Sequence, residues 1–138
     1  MESEMSNITE FVCIVCPNGC PLRVESHPAE AGSGMSYMGS GNRCQRGIDF
    51  AKTEMTAPKR TICSTVQTAV ADVPVLPVRV SAEIPKERIF DVMAEIAGVC
   101  VKTPVGRGDI VLQNVCGLGV DVIATSNILL WSTKEREV

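Results

Sequence analysis

The chain has 138 residues, of which 45% are hydrophobic, and a formal net charge of −3. That length suits one ordinary domain, or a small metal-stapled module joined to a slightly larger core, and the apolar fraction excludes wholesale disorder. The acidic balance argues against nucleic-acid binding. No apolar run approaches membrane-spanning length, and Met1–Glu10 is too polar for a signal peptide, so a cytoplasmic protein without direct membrane insertion is expected.

With one Trp, one Tyr and three Phe, the core must come mostly from Val, Ile, Leu and Ala. The predicted class is α+β in two parts: a small cysteine-rich metal-binding module over 1–58, then a compact α+β domain over 59–138. In the first part, Phe11–Val15 reads as a short strand entering a cysteine loop. Leu22–Glu25 alternates apolar and polar, as a half-buried strand does. His27–Asn42 has no clear period and reads as a flexible excursion. Gly47–Met55 puts Ile48, Ala51 and Met55 on one side of a helix, with Pro58 at or just past its end.

In the second part, Arg60–Ala69 is rich in Thr and Val, which favours a strand. Pro74 and Pro77 make Asp72–Val78 an extended linker or an edge segment. Pro85–Ala97 is the most convincing helix, with Pro85 at its first position and Ile89, Val92, Met93, Ile96 and Ala97 as an apolar stripe. Gly98 ends it. Val99–Thr103 and Ile110–Val115 read as strands, and Gly106-Arg107-Gly108-Asp109 as a turn. Val120–Ala124 and Ile128–Trp131 are the last apolar runs, also read as strands, and Lys134–Val138 is a charged tail.

Four of the seven cysteines stand as Cys13-x2-Cys16-x3-Cys20-x23-Cys44. An odd count in a chain without an export signal fits metal ligation better than a disulfide framework. Four thiolates suit a [4Fe–4S] cluster or a structural zinc ion. Zinc sites usually pair two separated knuckles, whereas three close thiols plus one remote thiol are more typical of a cubane cluster. A redox dithiol of Cys13 and Cys16 is a third reading, which leaves Cys20 and Cys44 unexplained.

Pro17 and Pro21 restrict the loop, while Asn18 and Gly19 allow the positive φ of a tight wrap. Arg46 would offset the negative charge of a thiolate-bound cluster or be a solvated charge at a helix start. His27 reads as a surface histidine. Cys63, Cys100 and Cys116, each isolated among apolar neighbours, read as small buried hydrophobes. With one histidine and no evident carboxylate pair, an independent hydrolase is not expected.

Cys13, Cys16, Cys20, Cys44, Arg46 and Gly47 resemble the iron–sulfur segment at the front of molybdopterin-dependent oxidoreductases, and Ala57-Pro58-Lys59-Arg60 resembles the segment that follows there. That resemblance covers about the first 60 residues and implies no molybdenum catalysis. A longer one spans nearly the whole chain. Cys13–Cys20, Cys44–Gly47, Ile84–Phe90, Pro104–Asp109 and Gly119–Thr125 resemble a family of small bacterial CxxC-containing proteins of unknown function. These are associated with FAD-dependent and glycerol-3-phosphate-dehydrogenase-like oxidoreductases. The resemblance implies an accessory subunit of a flavoenzyme. The expectation is then an electron-transfer protein whose Cys13, Cys16, Cys20 and Cys44 hold one cluster, with Arg46 and Gly47 beside it. The alternative is a zinc-stapled structural or interaction subunit.

Overall fold

A computed structural model describes residues 7–30, 32 and 34–134. The first six residues and most of the charged tail therefore lie outside the described residues. The fold is α+β, and the chain divides into two compact units, Met1–Pro58 and Lys59–Val138.

In the N-terminal unit three antiparallel strands, β1 (Asn7–Val12), β2 (Pro21–Pro28) and β3 (Met35–Ser40), form a sheet in that order. Burial along β2 alternates as a pleated strand requires, with Leu22, Val24 and Ser26 inward and Pro21 and Arg23 outward. The inner face packs on α1 (Gln45–Thr56), which buries Gly47 and Ala51 and half-buries Ile48 and Met55, the side that the spacing predicted. Phe11 of β1 meets Phe50 of α1 edge to face, with ring centroids 5.8 Å apart.

The segment 27–42 is a correction to the sequence reading. It is not an excursion but the second hairpin, registered from Arg23↔Ser40 to Pro28↔Met35. Its turn closes through Ala29 N–H donating to Gly34 C=O at 3.2 Å. The alternation is hidden because the side turned toward α1 carries Tyr37 and Gly39, while Met38, on the opposite phase, points to solvent, and Met35 is exposed at the strand's start.

The C-terminal unit is built on a five-stranded sheet ordered β8-β5-β6-β10-β9. Its strands are β5 (Cys63–Thr68), β6 (Val75–Val80), β8 (Cys100–Val101), β9 (Ile110–Leu112) and β10 (Val122–Ala124). A two-residue ladder pairs β4 (Lys59–Arg60) with β7 (Ile84–Pro85). The helix α2 (Ile89–Ala97) packs on β5 through Val92 and Ile96, after a 3-10 turn over Lys86–Arg88 that the sequence reading had merged with it.

Two further expectations are corrected here. Residues 72–74 of the segment Asp72–Val78 do connect β5 to β6, but from Val75 onward it is neither linker nor edge: β6 is the central strand despite Pro77. The Pro77 carbonyl accepts from Thr125 N–H at 3.0 Å, just beyond the last residue of β10. In an antiparallel strand a residue's N and C=O face the same neighbour, so the missing N–H falls past the end of the ladder. Ile128–Trp131 is not a strand but the start of α3 (Ile128–Lys134). Ser126 Oγ accepts from Ile128 N–H at 3.2 Å, and the Asn127 carbonyl takes Leu130 N–H at 2.9 Å, which starts the helix. Among the described residues no helix is long and apolar enough to cross a membrane.

Adjacent residues on β6 test this register. Leu76 is fully buried and Val75 is half exposed. Leu76→Ala is expected to cost about 2–5 kcal/mol of unfolding free energy in denaturant titration. Val75→Ala should stay within about 0.5 kcal/mol. Equal costs would contradict the assigned faces.

Candidate metal centre

The β1–β2 register ends at Phe11↔Leu22 and Val12↔Pro21. Continued by one pair, it sets Cys13 opposite Cys20, and the Cys13 N–H donates to the Cys20 carbonyl at 2.9 Å. The alternation that buries Leu22 and Val24 also turns both cysteines inward, leaving them 6% and 7% exposed. They share a small core with Leu22, Val24 and Ala51. Residues 14–19 form the loop between them. Gly19 takes φ +57°, as its position in a tight wrap foretold, while Asn18 keeps a negative φ. Cys16 is half-buried at the loop's middle, flanked by exposed Val15 and Pro17.

Cys44 reaches the same end by a different route. Gly41 has φ +89°, and a Cβ there would lie 2.1 Å from the Pro21 carbonyl oxygen, so no other residue fits. A Cβ on Gly47 would lie 2.9 Å from Asn42 Cβ and 3.7 Å from Leu22 Cδ2. The Asn42 side-chain amide donates to the Cys44 carbonyl at 3.0 Å. These contacts press the turn and the first helical turn of α1 against Pro21 and Leu22, immediately after Cys20.

Cys44 is the exposed N-cap of α1, with extended backbone (φ −150°, ψ 166°). Its sulfur makes no full capping hydrogen bond, since the Gly47 N–H donates to the Cys44 carbonyl at 3.2 Å. Its thiol is nevertheless held below the ordinary cysteine range, first by the nearby Gly47 N–H and next by the Arg46 side chain. A helix N-terminus favours an anion in the same sense. Arg46 is thus not merely a solvated charge: it acts on the thiol two residues before it.

All four cysteines of the N-terminal pattern therefore belong to one end of the three-stranded sheet. Among the described residues, no three His, Cys, Asp or Glu side chains meet as a group able to hold a metal ion. The donors suit a four-thiolate centre by chemistry and by their shared end of the sheet; the side chains as they stand do not enclose one. His27 lies apart on β2, half-buried, with Nε2 3.8 Å from Glu25 Oε2.

The isolated cysteines depart from expectation. Cys63 and Cys100 are exposed and Cys116 is half-buried, because the first two fall on the outward phase of β5 and β8. Cys116 has a polar setting that sequence reasoning missed. It sits at φ +51°, its N–H donates to Glu95 Oε2 at 2.7 Å, and the Glu95 carboxylate raises the thiol pKa. The same contact holds the Glu95 carboxyl below its usual range. The only signal in the sequence was the turn chemistry of Asn114, Gly117 and Gly119.

The two thiols shifted in opposite directions should separate in a pH titration of alkylation by iodoacetamide, read residue by residue. Cys44 is expected to react at lower pH than Cys116. Arg46→Met should move the Cys44 profile upward without moving that of Cys116. A Cys44 profile indifferent to Arg46 would remove that residue from the site's electrostatics.

No curated protein matches the chain. A solved structure, the NMR structure of Clostridium perfringens protein CPE0013, is 26% identical, with a TM-score of 0.46. The match covers 50% of this chain and 82% of that one. A family model matches residues 45–126, beginning one residue after Cys44, so the four cysteines stand outside the matched segment. The chain belongs to that family, described as a protein of unknown function, DUF1667.

Proposed function

We propose that this chain is a small electron-transfer subunit in which Cys13, Cys16, Cys20 and Cys44 hold one [4Fe–4S] cluster, serving an FAD-dependent oxidoreductase in the cytoplasm. The observation that carries the metal reading is that two separate segments of the N-terminal unit bring thiols to one end of its sheet. One is the 13–20 loop; the other is the first turn of α1, seated on Pro21 and Leu22 by Gly41 and Gly47. The flavoenzyme partner follows from the resemblance of the Cys13–Cys20, Cys44–Gly47 and later segments, not from the fold.

A bound cluster supplies reversible one-electron chemistry. The chain's own residues prepare for it. The Gly47 N–H and the Arg46 guanidinium favour the thiolate form of Cys44, the form that ligates metal. Arg46 also offsets the negative charge that four thiolates bring. Cys13 and Cys20 lie in an apolar core that excludes water from their side of the site. That same burial favours a second reading, a zinc staple that ties the hairpin to the unit without a redox role.

Purification without oxygen decides between them. The cluster reading predicts a brown protein with about four irons and four sulfides per chain and a paramagnetic signal on reduction. Cys16→Ser should lower the iron content while the far-ultraviolet spectrum stays unchanged. Colourless protein with one tightly held zinc per chain would favour the staple and overturn electron transfer.

A further inference from the structure

The spacing of the cysteines draws attention to Cys13 and Cys16, the CxxC pair. The fold pairs them differently. Cys13 faces Cys20 across the hairpin, and both side chains point into the same small core. Cys16 belongs to the loop beyond them. Directly opposed residues in an antiparallel pair have Cα atoms about 4.5–5.5 Å apart. A disulfide needs about 4.4–6.8 Å and Cβ vectors that do not diverge. The loop between them is already closed by a backbone hydrogen bond, so joining the sulfurs asks little further of the chain.

We infer that Cys13 and Cys20 are a cross-strand dithiol–disulfide pair, a site of reversible oxidation in the metal-free protein. In the oxidation each thiol loses its proton and one electron, and a bond forms between the two sulfurs. With diamide as oxidant, the two protons and two electrons convert its azo group to the hydrazine. Cys44 is the N-cap residue of α1, and no strand register opposes it. It remains free.

The pairing stands on the hairpin alone. Its consequence rests on the four-thiolate reading proposed above: the oxidised pair withdraws two of four ligands, so metal loading requires a reduced hairpin. A thiol reductant then acts as a permission for loading, reversible and confined to one loop.

The experiment uses the full chain, reduced and stripped of metal, then treated with diamide at low protein concentration without denaturant. Free thiols are blocked with N-ethylmaleimide and the peptides are mapped by mass spectrometry. The expected product has lost two hydrogens, carries a Cys13–Cys20 link, and is alkylated at Cys16 and Cys44. Cys16→Ser should form the same link, and Cys20→Ser should not. A predominant Cys13–Cys16 or Cys16–Cys20 link, or no link within the chain, would overturn the inference.

Zinc uptake is then measured before and after reduction with a phosphine. Loss of high-affinity uptake in the linked protein, restored by the phosphine, supports gating. Uptake that is unchanged by the link would sink the four-thiolate reading while leaving the Cys13–Cys20 pairing intact.

Discussion

The antiparallel register of β1 against β2 governs the cysteine end of this protein. Because side chains alternate with a period of two, placing Leu22 and Val24 inward also places Cys20 inward. The same register puts Phe11 and Cys13 on that face. A slip of one residue would turn the inward set of the slipped strand to the other face, Phe11 with Cys13 on β1 or Leu22 with Cys20 on β2, and part the two cysteines. The burial of a few apolar side chains against α1 therefore does more than stabilise a small unit; it decides which thiols face each other. The Phe11–Phe50 contact ties the same register to the helix that presents Cys44.

The second constraint is steric. Gly41 lets the backbone approach Pro21, and Gly47 lets the first turn of α1 approach Asn42, more closely than any side chain would permit. Without that approach, the N-terminus of α1 would stand away from the hairpin and Cys44 would be remote from Cys13 and Cys20. Packing and electrostatics act separately: the glycines seat the helix, and the first-turn N–H groups with Arg46 favour the Cys44 thiolate from within the helix. The C-terminal unit follows a different logic, with Leu76, Val78, Val80, Val92, Ile96 and Val122 forming an aliphatic core almost free of aromatics, as the composition implied.

Much of this was legible in the residues. The α+β class, the helix on Ile48, Ala51 and Met55, and the tight loop at Gly19 all follow from local pattern. What was hidden had physical causes. β3 has little alternation to read, since its outward phase carries the apolar Met38 and its inward phase carries Gly39. Pro77 signalled an edge, but tertiary pairing placed its missing N–H past the end of a neighbouring strand. The run from Ile128 to Trp131 is as apolar as a strand; only Ser126 and Asn127 before it hinted at a helix start. At the site, spacing picked out the four cysteines but not which of them oppose one another, because that depends on a register no spacing contains. Nor could spacing distinguish Cys116, beside Glu95, from the other isolated cysteines.

The central claim is that four thiols from two segments act as one centre. X-ray absorption of the anaerobically loaded protein, at the edge of whichever metal it holds, tests that claim most directly. The account predicts a first shell of sulfur alone, with four sulfurs at about 2.3 Å if the metal is zinc. It also predicts that Cys44→Ser removes a sulfur from that shell. A first shell containing nitrogen, or one unchanged by Cys44→Ser, would contradict it.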